Sequence, residues 1–354
     1  MAIDSVLPSN GCVTDVEGVR VGHFQRTSRG YRTGTTVILL PDGTTGGVDV
    51  RGGAPGTRET DLLDPTNLVD AVHAISLSGG SAFGLAPATG VMEVLARKGV
   101  GLRVGADPSW VVPIVPGAVI FDLGRGGRFD ARPDADFGVR ATRAARSTAS
   151  RVGSVGAGTG ARSGGLAGGI GTASIALGDG LVVAALAVVN SLGSTIDDAS
   201  GRPWFDGRHR LRRPSRADLV RLTSHLNQMR NTTTSSASLN TTIGVVITNA
   251  DLDKAECTRL AGVAHDGLAR AIRPAHSMND GDTIFGLATR RHALAGSRVA
   301  ASFGDPDSRS ISFNRLLIAA ADAFAEACTT GVLAATGRPG LPSYHDLCPS
   351  AFSA

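Results

Sequence analysis

Aromatic residues are scarce in this chain. Only 4% of its 354 residues are Phe, Trp or Tyr, although 42% are hydrophobic, so the core must be built from Ala, Val, Leu and Ile. Dense basic patches are missing too, because the net charge is only +4 and the arginines are scattered. Without basic stretches interleaved with aromatic residues, the sequence argues against a nucleic-acid partner.

Signals for export, membrane insertion and disulfide bonding are also missing. The first ten residues have neither the basic start nor the apolar core of a secretory signal. No apolar run approaches the roughly 20 residues that cross a membrane. The four cysteines are far apart and form no C-x-x-C pair, which disfavours a disulfide framework and a zinc site. We therefore predict a cytoplasmic protein with no membrane partner and no metal.

Familiar catalytic motifs are absent or imperfect. The chain contains no H-E-x-x-H and no phosphate loop, and in "GGSAFG" (79–84) Phe83 stands where a nucleophile elbow needs glycine. The segment "GAGTGA" (156–161) fits a dinucleotide fingerprint, but a poor strand precedes it and more glycines follow where a helix should start. We expect no cofactor. His265 lies on a predicted helix, where a structural or surface role is expected.

The pattern of apolar residues and glycines predicts an α+β fold of sheet packed on sheet with helices outside. Residues 181–189 form an apolar run that ends at Asn190 and reads as a strand covered on both faces. Further strands are expected at 241–250 and 283–289. A helix capped by Asp251 should follow the first of these, and a long helix is expected near the C-terminus. No linker divides the chain, so residues 1–354 are expected to form a single domain.

The segment "NTTTSSASLNTTIGVVITNA" (231–250) places a tract of hydroxyl and amide side chains directly before a strand. A surface loop entering a sheet is the ordinary interpretation. The alternative is that the chain cuts itself between Asn240 and Thr241, because a hydroxyl can attack the amide before it and form an ester that water opens. Thr241 would then carry a free amine that can act as base for its own hydroxyl.

Two carboxylates flank a glycine in "DGDTIF". In an extended segment, Asp280 and Asp282 point to the same side, and two close carboxylates cannot both ionise easily, so one should have a raised pKa. A turn with solvated side chains and a metal-binding D-x-D are the alternatives. Asn190, at the end of its strand, could donate to an oxyanion or cap a turn.

Together these segments resemble the family of DmpA-type aminopeptidases and NylC-type nylon-oligomer hydrolases. The resemblance covers nearly the whole chain and rests on "GVRVGH", "VDVRGGAPGTRETDLLDP", "SGGSAFGL", "GAGTGA", "VVNSLG", "NTTIGVV" and "DGDTIF", which occur in the family's order. The resemblance is strongest with actinobacterial members that are known only as probable hydrolases.

The resemblance implies a four-layer αββα sandwich, similar to N-terminal-nucleophile hydrolases but with different connectivity. It implies self-cleavage into an α chain 1–240 and a β chain 241–354, which stay together and assemble as a tetramer of heterodimers. Thr241 would be the nucleophile, Asn190 the oxyanion donor, and Asp280 and Asp282 would orient and activate the threonine. The substrate would be a small peptide or amide.

Two positions depart from the family pattern. Some relatives have a catalytic lysine in the glycine-rich block, but residues 161–169 contain none; Arg162 is a candidate for the missing cation. Relatives also have a tyrosine where this chain has Phe121. Each lost donor could remove roughly 2–4 kcal/mol of transition-state stabilisation. Three functions therefore remain open: an amide hydrolase, an acyltransferase of the ornithine-acetyltransferase type, and an assembly protein without catalysis.

Overall fold

Two five-stranded sheets form the centre of the protein in a computed structural model, which describes residues 11–178, 180–233, 239–296 and 309–352. In the first sheet the strands, in spatial order, are β1 (Arg20–Arg26), β2 (Thr33–Leu39), β5 (Ala74–Ser78), β8 (Gly117–Val119) and β4 (Thr57–Arg58). In the second they are β11 (Gly169–Gly178), β12 (Leu181–Asn190), β13 (Thr241–Ala250), β14 (Thr283–His292) and β3 (Thr45–Val50). Two small ribbons pair β6 (Leu102–Arg103) with β7 (Val111–Val112), and β9 (Arg162–Ser163) with β10 (Leu166–Ala167).

The two sheets pack face to face over an aliphatic core. Ile38, Ile75 and Leu77 of the first sheet lie in one buried cluster with Leu186 and Val245 of the second. Because β12 and β13 are buried along most of their length, both faces of these strands must be covered. The scarcity of aromatic residues is thus matched by a core of branched aliphatic side chains.

Helices cover the outer face of each sheet. Those that the structure describes are α1 (Ala86–Ala96), α2 (Ala135–Ala144), α3 (Arg216–Thr233), α4 (Lys254–Ala271), α5 (Arg309–Leu333) and α6 (Tyr344–Leu347). The first two pack on β1, β2 and β5, and α4 and α5 pack on the second sheet. The order of layers is therefore helix, sheet, sheet, helix, which confirms the predicted αββα sandwich.

The element predictions are largely confirmed, with one wrong cap. The cap of α4 is Asp253, not Asp251: its carboxylate accepts from the Glu256 N–H, and the Glu256 side chain accepts from the Asp253 N–H. This reciprocal capping box satisfies two free N–H groups of the first turn, which Asp251 is too far upstream to do. The Asp251 carboxylate instead pairs with Arg290.

Among the described helices, only α5 has the length and composition of a membrane span. Its most apolar 18-residue window is 89% buried inside the protein, where α5 packs on β11 and β12. Such burial is typical of a core helix. The absence of a membrane partner, the cytoplasmic location and the single domain over residues 1–354 all stay predictions.

Candidate active site

Strand register brings the predicted site residues to one edge of the second sheet. Asn190, the last residue of β12, pairs directly with Thr241, the first residue of the antiparallel β13. On the other side β14 runs parallel to β13, and an isolated bridge joins Asn240 to Asp280 just before both strands begin. One strand end and two strand starts therefore meet at Thr241, although 50 residues separate it from Asn190 and about 40 from Asp280 and Asp282 in the sequence.

The bond between Asn240 and Thr241 lies in a buried and tightly held stretch. The Thr241 hydroxyl donates to the carbonyl oxygen of Asn240, and the N–H of Gly281 donates to the same oxygen at 3.1 Å. Two donors on one carbonyl polarise it, and the hydroxyl lies next to the amide bond that comes before Thr241. Both residues are at least 96% buried, with exposures of 1% and 4%.

Gly281 is required here by space. A Cβ on this residue would lie 2.9 Å from the Thr241 hydroxyl oxygen and 2.6 Å from the carbonyl oxygen of Ala54. The sequence suggested a turn glycine between two acids. In the structure its N–H donates to the Asn240 carbonyl oxygen, and its lack of a side chain leaves room for the Thr241 hydroxyl.

Asp282 fixes the start of β13 and is itself fixed by a histidine. Its Oδ1 accepts from the N–H of Thr242 at 2.7 Å, and its Oδ2 accepts from the His276 ring Nδ1 at 2.8 Å and from the His276 N–H at 3.2 Å. His276 adopts a left-handed backbone conformation with φ 57°, so the chain turns sharply to bring both donors to one carboxylate oxygen. Nothing in the sequence singled out this histidine.

Asp280 occupies a different environment from Asp282. Its Oδ2 accepts from the Ser277 hydroxyl at 2.5 Å and from the Ser277 N–H at 3.1 Å, while Oδ1 faces the Leu192 N–H at 3.4 Å. Burial raises the pKa of Asp280, the Ser277 hydrogen bond opposes this, and the charge of Asp282 raises it further. Since β14 begins only at Thr283, the two acids lie in the segment before the strand, where one binds β13 and the other binds the turn at Ser277.

The Asn190 side chain is held at three points. Its Oδ1 accepts from Arg125 Nη1 at 2.6 Å and from the Arg162 N–H at 3.1 Å, and its Nδ2 donates to the Phe121 carbonyl oxygen at 3.3 Å. These contacts fix the amide orientation. The predicted oxyanion donor, Nδ2, is bonded to a backbone carbonyl in this arrangement.

Arg125 is a site residue that sequence reasoning missed. Besides Asn190, its guanidinium donates to the Leu239 carbonyl oxygen at 2.5 Å and lies 3.4 Å from Oδ1 of Asn240. It also rests 5.4 Å from the Phe121 ring centre. The sequence points to Arg162 as the candidate for the family's missing cation, and the structure adds Arg125, whose guanidinium bonds to both Asn190 and Leu239.

Three arginines lie in this corner of the site, and their burial disfavours the charged form. The pKa of Arg125 falls to about 9, mainly because the guanidinium is buried and further because Arg162 is close. Burial also lowers the pKa of Arg162 and that of Arg338, the latter to about 10. Burial raises the pKa of the neighbouring Asp122 to about 6, and the charge of this acid opposes the fall in the pKa of Arg125.

His265 is buried, as one of its two expected placements required. It lies on α4, and its Nε2 is 3.0 Å from the Asp49 carbonyl oxygen. Its ring contacts that of His276, with centres 4.9 Å apart. Desolvation lowers the pKa of His265 to about 4, so the ring is neutral near pH 7. This neutral ring packs against that of His276.

Comparison with known proteins identifies the family. Residues 11–343 match the profile of Peptidase family S58. The chain belongs to Peptidase family S58. An uncharacterized aminopeptidase of Mycobacterium tuberculosis is 48% identical over 354 residues, which cover 96% of this chain and 98% of the relative. A 6-aminohexanoate-oligomer endohydrolase of Kocuria sp. is 32% identical over 289 residues, covering 78% and 74%.

Solved structures agree with the fold. A β-aminopeptidase of Burkholderia sp. superposes with a TM-score of 0.69 at 23% identity over the full length of both chains. The L-aminopeptidase D-Ala-esterase/amidase of Ochrobactrum anthropi gives 0.68 at 20% identity, covering 97% of this chain and 95% of that one. The latter is described as a variant of the Ntn hydrolase fold. The family match and the curated relatives make this S58 chain a hydrolase of peptide or amide bonds, of the aminopeptidase and amidase type.

Proposed function

We propose that this S58 hydrolase cleaves its own chain between Asn240 and Thr241 and then uses Thr241 as the nucleophile of an acyl-enzyme mechanism. One observation carries the proposal: the Thr241 hydroxyl and the Gly281 N–H both donate to the carbonyl oxygen of Asn240. The hydroxyl thus lies against the bond that it would attack, and the N–H is positioned to hold the negative charge that develops on that oxygen.

Self-cleavage proceeds in two balanced steps. The Thr241 oxygen attacks the Asn240 carbonyl carbon, its proton passes to a base, and the C–N bond breaks as the nitrogen takes up a proton, which leaves an ester and a free amine. Water then hydrolyses the ester, giving a carboxylate on Asn240 and restoring the hydroxyl. We assign the base to Asp280, because a backbone bridge places it beside Asn240 and a raised pKa makes a carboxylate a better proton acceptor.

Turnover repeats this chemistry on an external amide. The α-amine of Thr241 takes the proton of its own hydroxyl, the oxygen forms an acyl-enzyme, and the amine of the substrate leaves with a proton before water releases the acid. Asp282 holds β13 in place through Thr242, and Asn190 and Gly281 are the proposed oxyanion donors. The products of the earlier self-cleavage are an α chain 1–240 and a β chain 241–354, for which the family resemblance suggests a tetramer of heterodimers.

A denaturing gel of the purified protein tests the proposal directly. Dividing the 36.0 kDa chain in proportion to its length at residue 240 gives fragments of about 24 and 12 kDa. We expect both fragments from the wild type and a single 36.0 kDa band from Thr241→Val.

Thr242→Val is a matched control. Its hydroxyl has no hydrogen-bond partner among the described residues, and the residue is as buried as its neighbour. This variant should be cut normally and should hydrolyse chromogenic amino-acid amides. An intact wild-type chain that still hydrolyses amides would overturn the assignment of Thr241, and an intact, inactive chain would favour an assembly protein.

A further inference from the structure

The start of β13 is held on its β14 side by a side chain. Regular parallel pairing between these strands begins at Ile243 and Thr283. One residue earlier, the N–H of Thr242 donates to Oδ1 of Asp282 at 2.7 Å. A side-chain carboxylate thus takes the place of a strand carbonyl and extends the hold on β13 by one residue. The residue that this contact steadies is next to Thr241.

The orientation of this carboxylate depends on one histidine. Both the ring Nδ1 and the backbone N–H of His276 donate to Oδ2 of Asp282, at 2.8 and 3.2 Å. The other ring nitrogen of His276, Nε2, is buried and has no hydrogen-bond partner among the described residues. The two oxygens of Asp282 therefore join the histidine to Thr242, and a carboxylate held at both oxygens cannot rotate.

The histidine is itself backed by the helix layer. The ring of His276 packs against that of His265, with centres 4.9 Å apart, and His265 Nε2 donates to the Asp49 carbonyl oxygen at 3.0 Å. Because Asp49 lies on β3 and His265 on α4, these contacts tie His276 to the second sheet and to the helix that covers it. The donor to Asp282 thus has a fixed position.

Self-cleavage would remove the restraints on one side of Thr241. In the uncut chain the Asn240 N–H donates to the Asn279 carbonyl oxygen at 3.0 Å, and the Gly281 N–H donates to the Asn240 carbonyl oxygen at 3.1 Å. Once the bond is cut, these contacts no longer act on Thr241. The new chain end is then held by pairing with β12 and by the carboxylate contact of Thr242. Chain ends are poorly ordered unless they are tied down.

We propose that His276 is a positioning residue for the threonine nucleophile of the cleaved enzyme, which it holds through Asp282 and Thr242, so that amide turnover depends on His276 more than self-cleavage does. This inference rests on the proposed function, because it takes Thr241 to be the nucleophile. Before the cut, Asn240 keeps Thr241 in place whether or not the histidine is present. After the cut, a carboxylate that is free to rotate would let the first two residues of β13 move away from the oxyanion donors, and a misplaced nucleophile reacts slowly.

Two substitutions of similar shape test the role of the ring nitrogen. Asn places its amide nitrogen, and Leu a methyl group, at the position along the side chain that Nδ1 occupies in His276. On the gel-verified cleaved enzyme, we expect His276→Leu to lower kcat for a chromogenic amino-acid amide by about 10-fold or more, the effect of one hydrogen bond to a charged group, with KM little changed. His276→Asn should restore most of kcat. The appearance of fragments after a pulse of cell-free synthesis should be slowed much less than turnover in His276→Leu.

His276→Gly separates the lost donor from the backbone conformation. His276 has φ 57°, where Asn and Gly are tolerated better than Leu. Gly removes the donor but suits the backbone, so its kcat should fall as in His276→Leu, and it keeps the test decisive if the Leu variant does not fold. His345→Leu is the matched control, because it removes a half-buried imidazole of α6 that packs on Phe352, and it should keep the wild-type kcat.

Turnover and processing together separate this inference from the proposed function. Wild-type kcat in His276→Leu or His276→Gly, an equal loss of turnover and self-cleavage, or a failure of His276→Asn to restore kcat would each overturn the positioning role. If Thr241→Val were still cut or still hydrolysed amides, the proposed function would fail as well. Wild-type kcat in the His276 variants beside an uncut, inactive Thr241→Val would leave the nucleophile in place and remove only the role of the histidine.

Discussion

Replacing Gly281 by alanine should slow self-cleavage strongly while leaving the fold intact. The new methyl group would lie 2.6 Å from the Ala54 carbonyl oxygen and 2.9 Å from the Thr241 hydroxyl oxygen, whereas ordinary contacts begin near 3.4 Å. Ala54 cannot easily retreat, because its own N–H donates to the Asp280 carbonyl oxygen at 2.8 Å. The methyl group lacks about 0.8 Å at the Ala54 contact and about 0.5 Å at the Thr241 hydroxyl, so with Ala54 held we expect Thr241 to be displaced by between half and about 1 Å.

A misplacement of this size predicts the magnitude. Moving a reacting group by about 1 Å can cost roughly 100-fold in rate, which corresponds to about 3 kcal/mol in activation free energy. We expect the rate of fragment appearance after a pulse of cell-free synthesis to fall by that factor. The N–H of Gly281 is kept in the variant, so the loss would report displacement and not a missing donor.

Gly262→Ala is the matched control. This glycine lies in α4, where the atom nearest to an added methyl group is the end of the Asp49 side chain, which can move. Alanine also favours a helix by roughly 0.5–1 kcal/mol over glycine. If Gly281→Ala is processed as fast as Gly262→Ala, the added methyl group does not displace the Thr241 hydroxyl, and the prediction is wrong.

Three further predictions concern Arg125, Asp122 and Gly267. Arg125→Met should slow both self-cleavage and kcat by about 10-fold or more, because Asn190 loses a hydrogen bond from a charged donor; an unchanged kcat on a gel-verified cleaved sample would contradict this. Asp122 has a folded pKa of about 6 against an ordinary 3.8, so the folded state keeps a proton that the unfolded chain loses. Its contribution to stability is full below pH 3.8 and is lost as pH rises through 6, a change of about 3 kcal/mol. Asp122→Asn should remove this loss, so that urea unfolding shows the variant gaining on the wild type between pH 4 and 7; a constant difference across that range would argue against the raised pKa. Gly267→Ala should destabilise by about 1–3 kcal/mol in thermal unfolding despite its better helix propensity, because the methyl group would lie 2.1 Å from the Ala321 carbonyl oxygen of the adjacent α5; a stabilised variant would mean that the two helices move apart easily.

The sequence by itself determined the layers and pointed to the candidate nucleophile. Apolar runs at 181–189 and 241–250 predicted two central strands, because side chains covered on both faces must be apolar along the whole run. The polar tract before Thr241 and the pair Asp280 and Asp282 pointed to candidate residues. Local patterns suffice for these features because they depend on what each residue is and on its near neighbours.

Only the tertiary structure decided which groups meet. The register of β12, β13 and β14 sets Asn190 opposite Thr241 and brings Asp280 beside Asn240, and no spacing in the sequence encodes a register between strands far apart in the chain. Arg125 is in a glycine-rich loop that reads as an ordinary surface turn. Its role depends on burial and on contacts made across the fold, which is why the positive charge of the site could be recognised only in three dimensions.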